Sequence, residues 1–204
     1  MAEETQEIVL VRHGETEWSR AGKHTGRTDV PLTEVGRQQA QVVGAELQKR
    51  RFAAVWTSPL SRAADTCRLA GFGDVAVPRD ELVEWDYGEY EGRTTPEIRG
   101  ERPGWTLWRD GVLGGETAEQ VGARVDRVLA DSESARGDVL LFAHGHVLRV
   151  LTARWLGLEP VEGQLFALDP ATLSVLGFER ERRVVRRWNQ AVVHGAAGAP
   201  PRLG

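Results

Sequence analysis

Two hydrophobic rhythms alternate along the chain. Residues 8–11, 52–57 and 139–143 are short, nearly unbroken apolar runs, the pattern of strands buried on both faces in a helix-covered parallel sheet. Between them apolar residues recur at helical spacing. Thr33 caps a predicted helix running to about Arg51, with Val35, Val42, Val43 and Leu47 on one stripe. Ser58-Pro59 reads as an N-cap with proline at N1, opening a helix with Arg62 in its first turn and Cys67 further along. Thr117-x-x-Gln120 is a capping box, and Val121, Val125, Val128 and Leu129 continue a helix to about Ser134. Residues 147–156 form an apolar helix. Residues 75–77, 164–168 and 172–178 read as further strands, and 184–188 closes a hairpin across a charged turn. Strands alternating with helices predict an α/β architecture.

Two strand ends share a further feature. The run at 8–11 breaks into Arg12-His13-Gly14, and the run at 139–143 breaks into His144-Gly145-His146. Ligands of open α/β sheets bind just past the carboxyl ends of strands. Arginine beside histidine there suits an anion held against a nucleophile or proton carrier. Taken alone, Arg12-His13-Gly14 reads equally well as a polar strand end with His13 hydrogen-bonded at the rim. The two histidines can meet if their strands are neighbours.

Other stretches are loops with open roles. Residues 20–32 are punctuated by Gly22, Gly26, Asp29 and Pro31, and each of Lys23, His24 and Arg27 is expected in solvent. Residues 84–92 place carboxylates at 84, 86, 89 and 91 among aromatics and glycines, as a rigid loop beside a site would. Residues 93–115 read as short helices in an excursion over the end of the sheet, where Arg93, Arg99, Arg102 and Arg109 could select substrate or simply be solvated.

Composition narrows the function. A net charge of −4 gives no global attraction to nucleic acid or an anionic membrane. The single cysteine excludes an intrachain disulfide and a cysteine metal cluster. The acidic N-terminus lacks an apolar h-region and no run approaches membrane-spanning length, so a cytoplasmic protein is expected. One domain over residues 1–204 is expected, with 195–204 as a disordered tail. Neither Gly-x-x-x-x-Gly-Lys-Ser/Thr, nor Gly-x-Gly-x-x-Gly after a strand, nor Gly-x-Ser-x-Gly occurs. Two histidines, two arginines and a carboxylate-rich loop remain, a kit for phosphoryl transfer without metal or other cofactor.

The chain resembles the histidine phosphatase superfamily, relatives of the cofactor-dependent phosphoglycerate mutases. The resemblance rests on the stretch from Arg12 to Trp18, Asp29-x-Pro31-Leu32-Thr33-x-x-Gly36, Ser58-Pro59-Leu60-x-Arg62-Ala63-x-x-Thr66, Glu84-x-x-Tyr87-Gly88-x-x-Glu91-Gly92, Gly115-Glu116-Thr117 and Ala143-His144-Gly145. Serine stands at position 19 where the family commonly has asparagine. The resemblance implies a phosphoglycerate mutase-like, three-layer α/β/α sandwich whose mostly parallel sheet has one antiparallel strand. It further implies that His13 attacks phosphorus, that Arg12, Arg62 and His144 hold the equatorial oxygens, and that Glu84 handles the leaving-group proton. Ser19, Thr25, Gly26, Tyr87, Gly145 and His146 would line the substrate pocket.

Three functions then compete: a phosphatase of small phosphomonoesters, a phosphoglycerate mutase, and a silent phosphate-binding module. Mutases of the family usually carry an insertion after the Glu84 region, whereas about two dozen residues separate Gly92 from Thr117 here. That favours hydrolysis. The stretches around Glu84, Trp108 and His144 resemble the sedoheptulose-bisphosphatase and actinobacterial acid-phosphatase branches, which points to sugar phosphates or bisphosphates. Some of Arg27, Arg99, Arg109 or Arg149 would take a second phosphate. Oligomeric state stays open, a homodimer being among the alternatives.

Overall fold

The computed structural model describes residues 6–192. In chain order the elements are β1 (Ile8–Arg12), α1 (Glu17–Arg20), α2 (Glu34–Leu47), β2 (Ala54–Thr57), α3 (Ser61–Leu69), β3 (Val77–Pro78), α4 (Thr95–Glu101), α5 (Leu107–Asp110), α6 (Ala118–Ser134), β4 (Val139–Ala143), α7 (Gly145–Trp155), β5 (Thr172–Glu179) and β6 (Arg182–Ala191). Six strands form one sheet in the order β3-β2-β4-β1-β5-β6. The pairs β3–β2, β2–β4 and β4–β1 are parallel, and β5 runs antiparallel to both of its neighbours.

The apolar runs explain the layers. Successive side chains of a strand point to opposite faces. Ile8 and Leu10 of β1, with Val139 and Leu141 of β4, join one core with α6 and α7. Val9 and Val11, with Leu140 and Phe142, join a second core against α2 and α3. Each such aliphatic side chain removed from water contributes roughly 1.5–3 kcal/mol. Helices on both faces make the three-layer sandwich the resemblance implied. Cys67 belongs to the second core, and burial pushes its thiol up to about 12. Among the described residues no helix is long and apolar enough to cross a membrane.

Several local expectations are corrected. Val35 is 48% exposed, and α2 instead buries Gly36, Ala40, Val43, Gly44 and Leu47. The cause is backbone contact: a Cβ on Gly36 would stand 2.2 Å from the Glu15 carbonyl oxygen, and one on Gly44 2.6 Å from the Ala70 backbone. Small residues therefore define the buried face, and a count of large apolar residues misplaces it. The third strand lies at Val77–Pro78 rather than 75–77. Residues 164–168 form no strand; Pro160–Leu165 is a 3-10 helix whose Gly163 packs under Trp108. The expected tail at 195–204 lies outside the described residues.

Candidate active site

The register of β1 against β4 places Arg12 opposite Ala143, so His13 and His144 leave the sheet side by side. Their ring centroids are 5.1 Å apart. The His13 backbone N–H extends the ladder to the Ala143 carbonyl at 3.0 Å. His13 Nδ1 lies 2.7 Å from the Gly14 carbonyl oxygen. A carbonyl only accepts, so Nδ1 carries the proton and Nε2 keeps its lone pair. Burial, then Arg12 and Arg62, hold this imidazole well below its usual value of 6.5. The ring is neutral, as a nitrogen nucleophile requires.

Arg62 projects from the first turn of α3, as expected, but the helix starts two residues late. Leu60 occupies the N-cap position without a side-chain cap, and Asp29 accepts the Ser61 N–H at 2.9 Å from a separate loop. Ser58, expected as the cap, instead bonds His144 Nε2 through its hydroxyl at 2.8 Å. Arg62 is fully buried. Its Nη atoms donate to the carbonyls of Thr25, Gly26 and Thr28 at 2.8–3.0 Å, and its Nε donates to His144 Nδ1 at 3.1 Å. A guanidinium never accepts, so His144 Nδ1 is unprotonated and Nε2 holds the hydrogen. Burial, then Arg62, hold the His144 imidazole well below its usual value. The two neighbouring histidines are thus opposite tautomers.

Arg12 donates one Nη to the Leu168 carbonyl, and its Nε is sealed from solvent without a partner. Burial lowers its pKa and Glu84 opposes that. The guanidinium lies over Gly145, where a Cβ would stand 3.4 Å from its Cζ.

Glu84 opens the carboxylate-rich loop and is the member that turns inward. Its Oε1 accepts the N–H groups of Trp85 and Val147 at 2.9 Å, and Oε2 accepts that of His146 at 3.0 Å. A carboxylate on free N–H groups stabilises a helix start. Hence α7 begins at Gly145, earlier than the apolar run alone implied. The other acidic side chains support the loop: Glu91 accepts the N–H groups of Gly26 and Thr28, Asp86 pairs with Arg27, and Glu89 is exposed.

Beside these groups lies a cavity of about 350 Å³. Arg12, His13 and Glu84 line it, with Ser19, Thr25, Tyr87, Gly145 and His146. Arg62 and His144 do not line its wall and form a buried pair against His13. Gly26 does not line it either; its carbonyl serves Arg62. The Ser19 hydroxyl closes the capping box of α1 by accepting the Thr16 N–H at 2.9 Å, and it donates to the Thr16 carbonyl at 3.0 Å. His24, expected in solvent, is buried in the cavity wall, and Lys23 is half-buried there. Arg99 and Arg149 reach the cavity, whereas Arg27 and Arg109 pair with Asp86 and Asp110 away from it. Ser58, the Leu168 carbonyl, Trp105 and Trp108 also belong to the site. Ser58 stood inside a recognised motif but read as a cap; Leu168 gave no signal, because a backbone carbonyl is the same in every residue.

Among the described residues no group of three or more histidine, cysteine or acidic side chains is placed to hold a metal ion. The chain is 42% identical to an acid phosphatase of Mycobacterium tuberculosis, over 95% of this chain and 94% of that protein. It is 40% identical to a sedoheptulose 1,7-bisphosphatase of Saccharomyces cerevisiae, over 76% of this chain and 69% of that one. A solved structure of an open reading frame of Mycobacterium tuberculosis superposes with a TM-score of 0.87 at 40% identity, covering 92% of this chain and 99% of the other. The model of the histidine phosphatase superfamily (branch 1) matches residues 8–191, and the chain belongs to that family.

Proposed function

We propose that the protein hydrolyses small phosphomonoesters, with sugar phosphates or bisphosphates as its substrates, through a phosphohistidine on His13. The observation that carries this reading is the neutral imidazole of His13. Its Nδ1–H is anchored on Gly14, its Nε2 bonds no other described residue, and His13 lines the cavity together with Arg12. In the first step Nε2 attacks phosphorus in line and the ester P–O bond breaks. Glu84, fixed at the start of α7, passes the proton of the incoming phosphomonoester monoanion to the departing alkoxide. In the second step Glu84 takes a proton from water, the oxygen attacks phosphorus, the P–N bond breaks to return neutral His13, and that proton leaves with the phosphate. Arg12 meets the phosphoryl oxygens directly. His144 meets them by turning its Nε2–H from the Ser58 hydroxyl, and Arg62 holds that tautomer while adding positive potential.

Hydrolysis is favoured over mutase chemistry by the short excursion between the Glu84 loop and α6. Only α4 and α5 cover that side, so water reaches the phosphoenzyme before a released product rebinds. The names of the acid phosphatase and bisphosphatase relatives support the substrate class. So do Arg99 and Arg149 in the cavity wall, which can take an anionic group beyond the reacting one.

The test is phosphate release, in the presence of chelator, from a panel of sugar phosphates, sugar bisphosphates, phosphoglycerates and phosphopeptides. Trapping of an acid-labile phosphoenzyme, absent in His13→Ala, accompanies it. Turnover of sugar phosphates is expected without added metal. Efficient conversion of 3-phosphoglycerate to 2-phosphoglycerate, or an activity that chelator removes and metal restores, would overturn the reading.

A further inference from the structure

Three groups in the cavity wall, His24, Tyr87 and His146, do no work in the reaction just described. Their hydrogen bonds bear on where each proton sits. His24 Nδ1 lies 2.9 Å from the Arg93 carbonyl oxygen, so Nδ1 must be the protonated nitrogen and Nε2 an acceptor. The Tyr87 hydroxyl lies 2.6 Å from His146 Nδ1. Tyr87 is buried, and among the described residues His146 is the one partner of its hydroxyl. Donation of that O–H to Nδ1 puts the His146 proton on Nε2, a donor. Neither Nε2 is sealed from solvent or bonded to another described residue, and both histidines line the cavity.

The rings pack on one another. His24 and His146 are nearly parallel, at 10°, with centroids 6.3 Å apart. Tyr87 stands edge-on to both, and Trp105 packs edge-on against His24. Burial lowers both imidazoles, so both are neutral and their donor and acceptor roles persist at neutral pH.

We infer that His24 Nε2 and His146 Nε2–H form a hydroxyl-recognition pair, selecting phosphoesters whose carbon chain bears hydroxyl groups beyond the phosphate. A hydroxyl both donates and accepts, and so can satisfy either nitrogen. A carboxylate cannot donate to His24, and an unsubstituted alkyl chain satisfies neither ring. Because a cavity polar group left unpaired is costly, the pair acts as a filter as well as a contact. The inference rests on the phosphatase reading and names the residues that select its substrate class.

The test compares kcat/KM for erythritol 4-phosphate with that for n-butyl phosphate, which has the same chain length and no free hydroxyl. The wild-type enzyme should favour the polyol ester by about tenfold or more. His24→Phe removes the acceptor, and Tyr87→Phe removes the hydroxyl that fixes the His146 proton; each should bring the ratio toward one. The ratio is internal to each variant, so a loss of folded enzyme cancels. Equal hydrolysis of both esters by the wild type would overturn the inference while leaving the phosphatase reading intact. A preference that survives both substitutions would overturn it too. Failure of the wild type to release phosphate from either ester or from an aryl phosphate would sink the phosphatase reading and the inference with it.

Discussion

Arg62 donates its Nε–H to His144 Nδ1 at 3.1 Å, and with that one bond it decides which face of His144 can donate. The same guanidinium is anchored on three carbonyls of the 20–32 loop, so the tautomer of His144 depends on a segment far from it in sequence.

Substituting Arg62 should therefore damage more than charge. In Arg62→Lys the charge remains, but one ammonium cannot bridge His144 and three carbonyls. We expect kcat/KM for an aryl phosphate to fall about 10²- to 10³-fold in both Arg62→Met and Arg62→Lys, the cost of losing an oriented transition-state donor. Nitrogen NMR of the histidine side chains should report Nδ1–H for His13 and Nε2–H for His144. Near-wild-type activity in the lysine variant, or matching tautomers in the two rings, contradicts this account.

Glu84→Gln should separate leaving groups. The amide can still meet the helix start in part, but it cannot supply a proton. Formation of the phosphoenzyme from an alkyl phosphate should slow by about 10²- to 10⁴-fold, and from an activated aryl phosphate far less. Rapid-quench measurement of the first turnover distinguishes the two; an equal slowing would remove Glu84 from the role of leaving-group acid.

Stability should decline on mild acidification. Burial holds His13, His144 and His146 well below 6.5 in the folded protein, whereas the unfolded chain protonates them near that value. The unfolded state thus binds more protons below about pH 6.5. Stability is complete above that pH and is lost as pH falls, by up to about 1.4 kcal/mol per pH unit for each ring that stays neutral. A Tm that is flat or rising between pH 7 and pH 5 would refute the neutral-histidine assignment.

The second anionic group of a bisphosphate should depend on Arg149 and not on Arg109. Arg149 lies in the cavity wall over Trp108, with its Cζ 4.7 Å from the ring centroid, while Arg109 is paired with Asp110 outside it. Arg149→Met should erase the preference for a sugar bisphosphate over its monophosphate, by roughly ten- to a hundredfold, as a charge-assisted hydrogen bond is worth about 1.5–3 kcal/mol. Arg109→Met should keep that preference. The reverse pattern in competition assays would place the second phosphate elsewhere.

The sequence by itself determined the two central strands, β1 and β4, and the residues that end them. β1 and β4 were legible because strands buried on both faces must be apolar at every position, and Arg12-His13-Gly14 and His144-Gly145-His146 interrupt those runs abruptly. The capping box of α6 was legible because its two hydrogen bonds are local. Tertiary structure decided whatever depends on partners distant in sequence. The buried face of α2 follows from Gly36 meeting Glu15, the start of α3 from Asp29, and the place of Ser58 from His144. Whether an arginine or histidine of a polar loop faces water or a cavity is likewise absent from local pattern. His24 and Arg149 turn inward while Arg27 and Arg109 do not, because packing against Tyr87 and Trp108 offsets the cost of burying the first two and nearby carboxylates hold the others outside.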